Sequence, residues 1–206
     1  LIRSAADLYT LTKEDLLKQI AESAYNIGFG AKKSFATFDI VDKIPGILNF
    51  CVLAIGILAL VIDELNIKIV SASLIIFGVI GIYISKYDDK KDEYAILGSE
   101  IKKLFNELKS LYHSVKAKSD DTNFDEDISK MKEIEDKFYL ITIPKQILFS
   151  DWYAHYKFFW QWATHIKWLE SKLKLTFWEN KIPLSFLVFI GVVLLIFIGS
   201  FIRSFL

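Results

Sequence analysis

IPGILNFCVLAIGILALVI, residues 44–62, carries no charge over about 19 positions, roughly the length at which a helix crosses a hydrocarbon core. The acidic pair Asp63-Glu64 ends it. Residues 65–84, LNIKIVSASLIIFGVIGIYI, repeat the pattern with one charge, Lys68, close enough to an end to snorkel. The four or five residues between the runs predict a tight turn, so 44–85 reads as a transmembrane helical hairpin. A hairpin buried in a soluble core is the competing reading, but two uninterrupted apolar runs of this length are rare in soluble domains. A third run, residues 182–202 (IPLSFLVFIGVVLLIFIGSFI), is the most hydrophobic, and its length favours a span over a tail lying on the surface. Trp168, Trp178, Lys181 and Arg203 are placed as membrane-interface anchors for it.

Working outward, 53% of the 206 residues are apolar while 24% are charged, so the two classes are segregated along the chain. The charges balance, 25 against 25, which removes a global electrostatic case for nucleic acid. Cys51, the only cysteine, lies inside an apolar run, which excludes a disulfide framework or a cysteine-based zinc site. Residues 1–14 are charged and lack an apolar core, unlike a secretory signal peptide. Lys32, Lys33 and Lys43 precede the first run and Lys86, Lys90 and Lys91 follow the second, whereas the turn sets Asp63 and Glu64 against Lys68. The positive-inside rule therefore predicts a multi-pass protein with its N-terminus and central region cytoplasmic. A third span would put the C-terminus outside, with Arg203 there against Lys172, Lys174 and Lys181 inside.

The flanking segments predict helices. Thr12 and Asp15 have the spacing of a capping box, with Leu11 and Leu16 as its hydrophobic staple. Leu16, Ile20, Ala24, Ile27, Ala31, Phe35, Phe38 and Val41 form one apolar face, on a helix that Gly28 and Gly30 either weaken or allow to pack closely. It runs toward Pro45, tolerable in the first turn of a membrane helix. After the hairpin, Tyr94, Leu97, Ile101, Leu104, Leu108, Leu111 and Val115 alternate steps of three and four, a seam for coiled-coil packing either between copies or within the bundle. No turn signal separates Lys86 from Tyr94, so the second membrane helix is expected to run unbroken from about 66 to 118, roughly 75–80 Å. Residues 119–127, SDDTNFDED, predict a solvated loop, and Ile128, Met131, Ile134, Phe138 and Ile141 a shorter helix ending before Pro144. Ser150 or Asp151 is expected to cap a last cytoplasmic helix bearing Trp152, His155, Phe159, Trp162, Ile166, Leu169 and Leu173. No segment alternates as a strand does. The fold class is an all-α membrane protein: a transmembrane hairpin whose helices extend into a cytoplasmic helical bundle, plus a third apolar helix at the C-terminus. It forms a single domain partitioned 1–43, 44–85, 86–181 and 182–202.

Chemistry-bearing patterns are missing from the sequence. His113, His155 and His165 are scattered without metal-ligand spacing, there is no phosphate-binding glycine loop or nucleophile motif, and 120–127 lacks the glycine and glutamate of a calcium loop. Neither a catalytic residue, a metal site nor a cofactor is expected. The five tryptophans all lie between 152 and 178; as aromatics they suit bundle packing and membrane anchoring better than a stacking platform. Within the spans, Asn49, Gly56 and Asp63 repeat at seven, as do Ser71, Gly78 and Ser85, with Gly81 nearby. Such small-residue stripes let helices approach closely in lipid. The expectation is that they pack the hairpin against itself; the other reading places them at a subunit interface or pore axis. Either way Asn49 calls for an interior partner. With no ring of charge at mid-membrane, a resting pore would be closed by apolar side chains.

The order of features resembles the SLATT-domain family, two-span effector domains of bacterial nucleotide-signalling and defence systems. The resemblance is carried by IAESAYNIGFGAKKSFATFDIVDKIPG before the first span, by SKYDDKKDEYAILGSEIKKLFNELKSLY after the second, and by KQILFSDWYAHYKFFWQWATHIKWL followed by KIPLSFLVFIG. The third apolar segment departs from the simplest two-span form. The resemblance implies a homo-oligomeric effector that breaches the bacterial inner membrane when an upstream nucleotidyltransferase, a sensor protein or a nucleotide second messenger triggers it. The alternative is a membrane-anchored scaffold or sensor that binds a protein partner without conductance.

Overall fold

The computed structural model describes residues 12–62, 65 and 67–203, the side chains of 200–203 excepted. Among these residues there is no strand. The described residues form seven α-helices, α1 (Lys13–Leu58), α2 (Lys68–Ser85), α3 (Lys91–Ala117), α4 (Asp125–Ile141), α5 (Ser150–Tyr156), α6 (Ala163–Leu173) and α7 (Leu184–Arg203).

α1 is the axis. It opens with the predicted capping box: Thr12 Oγ1 accepts from the Asp15 N–H at 3.2 Å, and the Asp15 carboxylate accepts from the Thr12 N–H at 3.4 Å. Of the expected staple, Leu16 is fully buried and Leu11 lies outside the described residues. α3, α4, α5 and α6 all pack on α1, which explains why its buried surface is wider than one apolar stripe. Ser34, Thr37 and Asp39 are buried alongside Ile27, Ala31 and Val41, while Phe35 and Phe38 are only half-buried. Each of these three polar groups has a partner, as burial requires. Ser34 Oγ donates to the Gly30 carbonyl at 3.2 Å, Thr37 bonds Gln146, and Asp39 is ion-paired.

The two glycines serve close packing. A Cβ on Gly28 would stand 2.7 Å from the Phe105 ring and 3.0 Å from that of Phe158; one on Gly30 would stand 3.0 Å from Phe138. Gly98 on α3 meets Phe35 in the same way at 3.0 Å. Gly28→Leu is therefore expected to cost about 1–3 kcal/mol of overpacking, less the roughly 0.5–1 kcal/mol regained by removing a helical glycine. Denaturant melts of the full chain in detergent measure this. An unchanged midpoint would mean the α1–α3 contact is looser than described.

α1 does not end where the apolar run begins. It passes through Pro45 and continues to Leu58, so the cytoplasmic helix and the first span expected from the sequence are one rod of 46 residues, about 69 Å long. Proline inside a helix forfeits a hydrogen bond and costs ~3 kcal/mol. Packing on both sides of it holds the helix together, since Val41, Ile44 and Leu48 share a cluster with Ile84 and Tyr87.

Several boundaries differ from expectation. The helical part of the first span stops at Leu58 and the second begins at Lys68, so the connection is longer than a four- or five-residue turn. Hydropathy could not mark that end, because Ala59 to Ile62 stay apolar after leaving the helix. The second rod is not unbroken. A 3₁₀ turn at Asp88–Lys90 separates α2 from α3, where two adjacent aspartates are poor helix formers. The loop 119–127 is shorter than read: Asn123 Oδ1 accepts the Asp125 N–H at 2.8 Å and starts α4 there, and Asp127 is buried against Lys118 at 2.6 Å. Neither Ser150 nor Asp151 caps α5. That position is Phe149, in the left-handed conformation with φ 66°. A π-helical turn, Lys157–Gln161, then interrupts the last heptad stretch. Its extra residue brings both Phe158 and Phe159 into the core, where heptad counting found only Phe159.

Candidate functional site

The unit that could act is the apolar hairpin and its junction with the bundle. Along it, Ile44, Leu48, Val52 and Ile55 of α1 and Leu74, Phe77 and Ile84 of α2 are half-buried or buried, and Ile44 and Leu48 cluster with Ile84. The rest is bare. Phe50 is 72% and Leu60 86% exposed, and the apolar windows of both rods are only 6% buried. Among the described residues, two helices are long and apolar enough to cross a membrane. Such exposure is incompatible with a soluble core hairpin and has its physical counterpart in lipid.

Most of the small-residue stripe positions face away from the hairpin seam, with Gly56 and Gly81 half-buried. Asn49, Ser71, Gly78 and Ser85 are exposed. A Cβ added to Gly56, Gly78 or Gly81 would meet nothing within 4 Å. Ser71 and Ser85 return their hydroxyls to their own helix, donating to the Ile67 and Ile82 carbonyls at 3.5 and 2.9 Å. Asn49 has no side-chain partner among the described residues, so the interior partner expected for it is not supplied within the hairpin. Asp63 lies outside the described residues.

The seam on α3 is used internally. Leu97, Ile101, Leu104, Leu108 and Leu111 are all buried in one core with Leu16, Ile20 and Ile27 of α1 and with Ile166 and Leu169 of α6. The anchors fall in different places. Trp168 packs in the bundle: its ring lies 4.6 Å from Tyr112 and 6.2 Å from Phe105 on α3. Trp178 is exposed. Lys181 is tied back to the bundle by Glu170 at 2.7 Å. The Arg203 side chain lies outside the described residues. Of the histidines, His155 sits between Phe29 and Phe159, where burial holds it below the ordinary imidazole range against the pull of Asp151.

Sequence reasoning missed the residues that join the hairpin to the bundle. Asp39, on α1 five residues before the first apolar run, accepts from Lys43 at 2.7 Å and is paired with Lys157 of the π-turn. Only the Asp39–Lys43 spacing of four was a usable signal. Lys33 reaches Asp151 at 2.8 Å, and the Tyr94 hydroxyl donates to the Lys145 carbonyl at 2.7 Å. Trp152, expected in the bundle seam, instead donates its indole N–H to Ser185 Oγ at 3.0 Å and lies 5.2 and 5.4 Å from the rings of Phe186 and Phe189 on α7.

A helical bundle whose core helices run directly into an exposed apolar hairpin defines a small α-helical membrane protein. The family model described as SMODS and SLOG-associating 2TM effector domain 6 matches residues 11–190, most of the chain. The chain belongs to that SLATT family. The match ends within α7, so the rest of this third apolar helix extends past the two-span domain. No match was found among curated proteins or among solved structures.

Proposed function

We propose that this protein is a non-enzymatic effector of a bacterial conflict system that homo-oligomerises and opens or disrupts the inner membrane when triggered. The observation that carries this reading is the continuity of both hairpin helices with the bundle: α1 without a break, α2 through a single 3₁₀ turn into α3. A change in bundle packing then reaches the spans as tilt or rotation of rigid rods. The outward small residues and Asn49, which has no side-chain partner among the described residues, leave surfaces that a second copy would satisfy in lipid. The family description, an effector domain associating with SMODS and SLOG, supports an upstream nucleotidyltransferase, sensor protein or nucleotide second messenger as the trigger. The lysines flanking the hairpin support a cytoplasmic bundle.

The test is leakage from dye-loaded vesicles at rising protein-to-lipid ratio, with cross-linking to follow assembly. Leakage that tracks oligomer formation is expected. Oligomers that never conduct would leave the scaffold reading, in which partner capture survives replacement of the hairpin by an unrelated anchor. Gly78→Leu separates the two further. Its Cβ would meet nothing in the monomer, so the fold should be unaffected while assembly and leakage change. Unchanged leakage would remove the Ser71, Gly78, Ser85 face from the oligomer contact.

A further inference from the structure

We propose that Leu148 and Phe149, in the connection between α4 and α5, form an apolar wedge seated in the lipid headgroup layer on the bundle side of the membrane. This rests on the hairpin lying in a bilayer and adds a contact outside the three apolar helices. Along the connection, Ile147 and Ser150 are buried at 2% each, while Leu148 and Phe149 between them are 60% and 51% exposed. The level of this pair is fixed by its neighbours. Ile147 shares a cluster with Ile84 at the end of α2 and with Ile44 and Leu48, which begin the apolar part of α1. The Leu148 N–H donates to the Tyr83 hydroxyl at 3.3 Å, in the last turn of α2. Leu148 therefore stands beside the last turn of a membrane-length helix.

Phe149 continues the surface toward α7. Its ring lies 4.7 Å from Trp152, which packs on Phe186 and Phe189. The pair thus fills the surface between the base of the hairpin and the base of the third apolar helix. Phe149 reaches that position by adopting a left-handed backbone, a conformation rare for a bulky residue. In water this arrangement gains nothing, since it turns two large apolar side chains outward. At the boundary between headgroups and acyl chains it buries them, and aromatic rings favour that depth. Lys86 and Lys90, exposed just after α2, place positive charge where anionic headgroups would lie.

The experiment uses the full chain with Cys51→Ser, reconstituted in vesicles of phosphatidylcholine and phosphatidylglycerol. Leu148→Cys and Phe149→Cys are spin-labelled in separate proteins, so loss of one to misfolding leaves the other. Ile76→Cys on the exposed face of α2 gives the lipid reference, and Ser110→Cys on the exposed face of α3 gives the aqueous one. Collision rates with a water-soluble nickel chelate are expected to be several-fold lower at 148 and 149 than at 110, with oxygen collisions between the two references. Labels at 148 and 149 as open to nickel as 110, with 76 shielded, overturn the wedge and leave the membrane hairpin intact. Nickel access at 76 equal to that at 110 would overturn the membrane hairpin itself, and the wedge with it.

Discussion

Asp39→Ala is expected to destabilise the bundle by about 3–5 kcal/mol, because it strands a buried lysine. The Asp39 and Lys157 side chains are only 11% and 13% exposed, and Lys43 takes the other carboxylate oxygen. Without Asp39, Lys157 keeps only the Tyr153 ring, 4.8 Å away, and the repulsion of Lys32. Lys32 already shows the strain of that neighbourhood. Burial, then Lys102 and Lys157, push it down to about 8. Removing both partners is the control. Asp39→Ala with Lys157→Met should recover much of the loss, since a buried pair replaced by apolar groups is often neutral. Denaturant melts of the full chain in detergent measure both variants. A single variant as stable as the parent, or a double variant as unstable as the single, refutes the argument.

The same site predicts a pH dependence. Burial raises the Asp39 carboxyl, but hydrogen bonds from Lys157 and Lys43 outweigh it and hold the group below its ordinary value. A depressed carboxyl stabilises fully above its unfolded pKa, about 3.9, and that contribution is lost as pH falls through the lower folded value. This term should be flat from neutral pH down to about 5, begin to fade near about 4, and be lost only as the pH falls through the lower folded value. The acid-dependent part of the melt attributable to Asp39 should vanish in Asp39→Ala.

Features legible in the sequence were those that repeat or announce themselves locally. The Thr12–Asp15 cap, the Leu97 to Leu111 seam and the uncharged run 44–62 each state their structure within a few turns of helix. The joints were not legible, because each is decided by tertiary contacts. Pro45 reads as the start of a helix and proves to lie inside one, held by Val41 and Ile84 packing around it. The π-turn at 157–161 has no composition of its own; it exists because Phe158 and Phe159 both gain burial from the extra residue. The small-residue stripes were legible as stripes, but periodicity gives a face and not its partner. The partner of Ser71 and Gly78 proved not to be α1.

Inserting Gly-Gly between Asp42 and Lys43 is expected to reduce membrane leakage strongly while leaving the protein helical and inserted. The site lies inside α1, just after the buried Asp39 and Val41 and at the edge of the apolar run. Two extra residues advance the span by about 3 Å and turn it by roughly 200° relative to the bundle. Each glycine also softens the helix by about 1 kcal/mol. If bundle and spans are coupled through a rigid rod, that coupling is lost, and a coupling of about 1–3 kcal/mol corresponds to about 5–150-fold in leakage. The same insertion between Asp121 and Thr122, in the loop at the far end of the bundle, separates nothing from the membrane and should leak as the parent does. Circular dichroism and vesicle flotation establish that both proteins are helical and inserted. Equal leakage from the α1 insertion and the parent would exclude transmission through α1. The 3₁₀ turn at Asp88–Lys90 would then be the remaining continuous helical route, and Gly-Gly after Lys90 should stop the leak in its place.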